Sequence, residues 1–114
     1  MSKDIEVALA EKGDVYIISI AGDVTPVTGE IIEAAYKKAS AAGARKFLLL
    51  FNGENYINSG GIAILIGITA ESRAAGQVIR VAGLSDHFRK IFAMVGLTKY
   101  AQVFLSEEEA LRGF

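Results

Sequence analysis

With 114 residues, 52% of them hydrophobic and 22% charged, the chain has apolar material for one core and no room for a second domain. A formal net charge of -1, with the lysines and arginines scattered, lacks the basic footprint of a nucleic-acid binder. The absence of cysteine excludes disulfides, thiol catalysis and thiolate metal sites.

The opening residues Met-Ser-Lys-Asp-Ile-Glu put charge where a signal peptide needs its apolar segment. No apolar run reaches the roughly 18 residues of a membrane span. The expectation is therefore a soluble cytoplasmic protein, with neither a membrane nor a nucleic acid as its direct partner.

Residues 5–9 alternate, with Ile5, Val7 and Leu9 set against Glu6 and Ala8, and 15–20 form a β-branched run. Lys12, Gly13 and Asp14 between them are turn residues, so the two segments predict a hairpin. The second strand ends at Ala21, Gly22 and Asp23. Pro26 is read as part of a loop and Thr28 as the cap of a helix that starts near Gly29 and runs to about Ala42. Ile31, Ile32, Ala35, Ala39 and Ala42 share one face of that helix, and Gly43 closes it.

The uninterrupted apolar run at 47–51 is the pattern of a strand covered on both faces, which places it centrally. After Asn52, Gly53, Glu54 and Asn55 the chain reads Tyr-Ile-Asn-Ser-Gly-Gly over 56–61 and passes straight into an apolar helix. Gly76 terminates that helix, and 78–82 give a short buried strand. Ser85 or Asp86 caps a helix over 87–95; 103–105 form a last short strand; Ser106 with Glu107, Glu108 and Glu109 opens a terminal helix. The order β-β-α-β-α-β-α-β-α predicts an α/β fold, a mixed sheet of four to five strands with helices packed on it and its later strands parallel.

The turn at 58–61 is the candidate functional feature. Asn58 and Ser59 have short polar side chains that accept from the free N–H groups of a helix's first turn, and Gly60 and Gly61 leave that turn sterically open. A phosphate or a partner's backbone can approach such a turn closely. The helix behind it is too apolar for one stripe: with Ile62, Leu65, Ile66 and Thr69 inward, Ile64, Ile68 and Gly61 face the other way. That arrangement reads either as a docking surface or as a face covered by a neighbouring element.

Gly22, Asp23 and Val24 after the second strand, the Tyr56 to Leu65 segment, and Gly96-Leu97 followed by Ser-Glu-Glu-Glu-Ala-Leu over 106–111 resemble a STAS domain, the fold of bacterial anti-sigma factor antagonists. The resemblance covers nearly the whole chain, taken as a single STAS domain over 1–114. It implies a regulator of transcription that switches partners: it binds a cognate anti-sigma factor, a serine kinase, and is released when that kinase phosphorylates a serine at the start of the apolar helix. Aligned with the family pattern Asp-Ser-Ser-Gly-Leu-Gly, Asn58 takes the place of the Asp and Ser59 of the first Ser. Gly60 then stands at the usual acceptor and Gly61 at the first Gly. Ser59 is thus the one hydroxyl at hand, a phosphorylation candidate or a plain helix cap. Asp23 resembles the acidic residue of a loop near that turn, where it orients a partner or Ser59, or else accepts backbone N–H bonds.

The resemblance thus names Asp23, Asn58, Ser59, Gly60 and Gly61 as partner-binding candidates, and the excess of apolar residues on the helix adds Ile64 and Ile68. The rival reading is a STAS scaffold or sensor that binds a protein or a small anionic or nucleotide ligand at 58–61 without phosphorylation. An enzyme is not expected. The single histidine, His87, has no motif bringing it to Ser59, Asn-Ser-Gly-Gly is not a nucleophile elbow, and neither a cofactor loop nor a metal-ligand spacing is present.

Overall fold

Chain order and sheet order coincide. In the computed structural model, which describes residues 5–114, strands β1 (Glu6–Lys12), β2 (Val15–Ala21), β3 (Lys46–Phe51), β4 (Val78–Ala82) and β5 (Gln102–Phe104) lie side by side in that sequence. β1 and β2 form the antiparallel hairpin, and each later neighbour is parallel. The charged opening residues 1–4, on which the reading of the leader partly rests, lie outside the described residues. Among the described residues no helix is long and apolar enough to cross a membrane.

A parallel sheet wound in one direction has its crossovers all of one hand, which puts their helices on one face. Helices α1 (Pro26–Ala41), α2 (Ser59–Ala74) and α3 (Asp86–Met94) pack on the face formed by Ile18, Ile20, Phe47, Leu49, Phe51, Ile79 and Val81. The short α4 (Glu107–Leu111) brings Ala110 to the reverse face, against Val15, Ile17, Leu48 and Ala82. β3 is the middle strand, with Phe47, Leu48 and Leu49 all fully buried, as its unbroken apolar run predicts. Each such side chain contributes about 1.5–3 kcal/mol by leaving water.

α1 begins before the predicted start near Gly29. Thr25 is the cap, and Thr25 and Thr28 bond reciprocally: Thr28 N–H donates to Thr25 Oγ1 at 3.2 Å and Thr25 N–H to Thr28 Oγ1 at 2.8 Å. Pro26 is therefore the first helical residue rather than part of a loop, a position that suits its fixed φ and missing N–H. The expected inward face of α1 holds at Ile32 and Ala39, whereas Ile31 is half exposed.

Of the two readings of Ile64 and Ile68, the face covered by a neighbouring element holds and the docking surface is corrected. Ile68 is fully buried and Ile64 partly so, because α1 lies alongside α2 and gives it a second wall. A Cβ at Gly29 of α1 would stand 2.9 Å from Ile64 Cδ1, so the missing side chain is what lets that isoleucine in. Gly61 is buried too, while Ile62 and Ile66, expected inward, are only partly covered. The surplus apolar residues of α2 thus serve a helix–helix contact.

A buried polar fastening joins the same elements. Tyr36 Oη and Ser72 Oγ both donate to Gln77 Oε1, at 2.7 and 2.9 Å, and Gln77 Nε2 donates to Ser40 Oγ at 2.7 Å. It ties α1 to α2 and to the entry of β4.

On the reverse face, the Arg80 guanidinium lies between the rings of Phe104 and Phe114, 5.2 and 4.4 Å from their centroids. It donates to the carbonyls of Ala110, Arg112 and Gly113 at 2.9, 2.8 and 3.2 Å. A cation facing the carbonyl end of a short helix stabilises it. Arg80→Met should lower stability by roughly 2 kcal/mol, since bonds to a charged group are each worth about 1.5–3 kcal/mol. Thermal denaturation reads the loss, and amide exchange should accelerate first within α4; unchanged exchange there would contradict the clasp.

Candidate functional site

All three loops that follow β2, β3 and β4 leave from the carboxyl edge of the sheet, the edge where parallel α/β sheets place their binding sites. Two of them are bonded to each other. Val24 N–H donates to the Tyr56 carbonyl at 2.8 Å and Asn58 N–H to the Val24 carbonyl at 3.1 Å, a one-residue parallel bridge between Val24 and Ile57. Both side chains are buried, at 0% and 2% exposure.

Asn55, itself buried, fastens the bases of these loops. Its Nδ2 donates to the carbonyls of Ile20 and Gly22 at 3.1 and 2.8 Å, and its Oδ1 accepts from Asn52 N–H at 3.0 Å. Asp23 adds a bond from the other side, its Oδ1 accepting from Tyr56 N–H at 3.3 Å. The carboxylate therefore steadies the loop before α2, and among the described residues it makes no hydrogen bond to Ser59.

The cap of α2 is Asn58. Its Oδ1 accepts from Gly61 N–H at 2.8 Å, and its carbonyl accepts from Ile62 N–H at 2.9 Å. Ser59 is consequently the first helical residue, exposed, and its hydroxyl has no hydrogen-bond partner among the described residues. The reading of Ser59 as a plain cap gives way, since Asn58 does that work.

The two glycines are set by contacts from α1's side. A Cβ at Gly61 would lie 2.4 Å from the Val24 carbonyl oxygen, and one at Gly60 would lie 2.4 Å from Pro26 Cγ. The space that a side chain at position 60 would use is filled by the Pro26 ring. Gly61, buried and with its N–H committed to Asn58, is a packing position. Ser59 and half-buried Gly60 are the parts of the turn open to a visitor.

Of the residues singled out, the structure gathers Asp23, Asn58, Ser59, Gly60 and Gly61 at one end and withdraws Ile68 into the core. It adds residues that the sequence did not mark. Tyr56 is 61% exposed, with its ring set edge-on to Phe88 of α3 at 5.9 Å, and Val27 is 75% exposed. Ala63 lies one helical turn beyond Ser59 and is exposed, a spacing that could have flagged it. His87, which no motif linked to this end, sits beside Phe88 with ring centroids 4.9 Å apart, because α3 starts at the same edge.

The sequence model of a family described as "Mlab, STAS domain" matches residues 7–107. The chain belongs to the STAS domain family. Solved structures share the fold of this STAS domain. The Bacillus cell fate determinant SpoIIAA in its phosphorylated form is 24% identical with a TM-score of 0.67, over 93% of this chain and 96% of that one. The anti-sigma factor antagonist SpoIIAA in its unphosphorylated form is 22% identical with a TM-score of 0.71, over 96% and 100%. An anti-sigma factor antagonist from Mycobacterium paratuberculosis is 19% identical with a TM-score of 0.79, over 95% and 92%. At these identities the likeness is one of fold.

The Pro26 contact makes a prediction about the STAS turn. Gly60→Ser should cost about 1–3 kcal/mol, as overpacking does, and combining it with Pro26→Ala should recover most of the loss in a double-mutant cycle read by chemical denaturation. Additive effects would mean that the ring does not fill that space.

Proposed function

We propose that the chain acts as one STAS module that antagonises an anti-sigma factor: it docks on that partner, a serine kinase, with the end that carries Ser59, and phosphate on Ser59 releases it. The observation that carries this reading is the state of Ser59, a solvent-facing hydroxyl on the first residue of a helix whose start is fixed by two bonded loops. The resemblance to SpoIIAA, which exists in phosphorylated and unphosphorylated forms, supports it.

A phosphoserine there adds about -1.5 to -2 charges and three acceptor oxygens. The helix N-terminus accommodates the charge, so the fold survives. A partner already packed on Tyr56, Val27 and Ala63 has to desolvate that charge, and every 1.4 kcal/mol of such cost is about tenfold in affinity. The role is binding rather than catalysis, in transcription control within the cytoplasm.

Two observations favour a second reading, a STAS scaffold or sensor without a phosphate switch: the Pro26 ring occupies the place of a side chain at position 60, and Asn58 supplies an amide as the cap. A small anion would find only the N–H groups of Ser59 and Gly60 in that turn, since Gly61 and Ile62 donate to Asn58.

Incubation with ATP and the cognate kinase followed by mass spectrometry separates the two. The switch predicts phosphate on Ser59 and none on the Ser59→Ala variant; an unmodified chain supports the scaffold. Ser59→Asp should weaken partner binding by about tenfold or more while Ser59→Ala retains it, and equal affinities would count against the switch. Ala63→Arg, at an exposed position, should likewise lose binding at unchanged melting temperature. Ile64→Asp instead should lower the melting temperature, because that side chain packs on α1.

A further inference from the structure

We propose that β1 is a self-association edge, through which two copies of the chain join their sheets antiparallel across a twofold axis at Leu9. Among the described residues β1 ends the sheet and bonds only β2, in an unbroken register from Glu6 to Lys12. Its other side is a row of backbone donors and acceptors. Edge strands that stay solitary are usually short, broken by a proline or a bulge, or guarded by charges; this one has seven residues with neither proline nor bulge, and of its three charges Glu6 and Lys12 can pair with those of a second copy.

Its sequence, Glu-Val-Ala-Leu-Ala-Glu-Lys, is complementary to itself. With Leu9 on the axis, Glu6 falls opposite Lys12 of the second copy at both ends, Ala8 opposite Ala10, and Val7 opposite Glu11. Glu6 and Lys12 lie on the same face of the strand, beside Ala21 and Val15 of β2, so each opposite-charge pair meets side by side. This is the one register that pairs the full length of the strand. Sliding it by one pair either way sets Glu6 or Lys12 against alanine.

The surroundings suit a second copy. Leu9 is 48% exposed on the helix side, at the lip of an open groove of about 440 Å³ between β1, Tyr16 and the end of α1 at Ala39 and Ala42. Pairing brings the two Leu9 side chains together there. Lys12 now bonds Glu107 at 3.1 Å, with the lysine well exposed and the glutamate half-buried, a surface ion pair of small value. The edge lies across α1 from Ser59, so a dimer would present two free α2 termini, and a partner with two sites would be held by both at once.

Sedimentation velocity of the full chain, from micromolar to millimolar concentration, tests the proposal. The expected result is a monomer–dimer equilibrium that Glu6→Lys or Lys12→Glu alone weakens by about tenfold or more, by setting like charges opposite each other at both ends. The double variant E6K/K12E exchanges the charges and should restore the dimer. Both positions are exposed, and melting temperatures confirm that each variant is folded. A chain that stays monomeric throughout, a dimer indifferent to either single change, or a double variant that fails to recover would overturn the edge pairing.

Discussion

The short backbone bridge between Val24 and Ile57 is the constraint on which the rest of the site depends. Strands β2 and β3 are parallel neighbours, and their loops would ordinarily diverge toward the separate helices they feed. Here the loops remain bonded past the sheet, with Asn55 filling the gap at their base. Because α1 and α2 start immediately after the bridge, its position fixes where both helices begin and how closely they approach. The contact of the Pro26 ring with Gly60, and the access of Ile64 to the space left by Gly29, follow from that spacing. Larger side chains at either glycine would force the helices apart and strain the bridge.

A site built this way is preformed. The first turn of α2 does not have to order itself when a partner arrives, so little binding energy goes into closing a loop. It also means that a change of charge at Ser59 acts on whatever touches the surface rather than on the fold beneath. The burial of Ile68 and the partial burial of Ile64 move the apolar part of the surface away from the helix flank. On the proposed reading, a partner would meet the rim of Tyr56, Val27 and Ala63 around the serine, a smaller surface than a bare isoleucine face would have been. Such a surface suits an association that must be reversible.

Much of this was legible in the sequence where one residue type has one physical reason to be there. The apolar run of β3 specified its central place, and Gly43 and Gly76, both with positive φ, ended their helices as expected. The turn at 58–61 announced a helix start. The errors arose where two solutions look alike from sequence. Thr25 and Thr28 are equally good caps, and only the reciprocal bond decides for Thr25. Five aliphatics between Ile62 and Ile68 fit two helix phases, and the choice is made by α1 lying alongside, a contact between segments far apart in the chain. The meeting of Pro26 with Gly60 is of the same kind: neither residue carries a local sign of the other. Asn55 was visible only as a loop residue, although its carboxamide holds two strand ends.

The central claim is that paired loops hold α2 rigidly with Ser59 outermost, and residue-resolved amide hydrogen exchange in the native state tests it most directly. The amides of Val24, Asn58 and Gly61, each bonded inside the bridge or its cap, should exchange as slowly as amides of the flanking strands, while those of Ser59 and Gly60 exchange fast. Rapid exchange at Val24 and Asn58, at the rate of an open loop, would contradict the account.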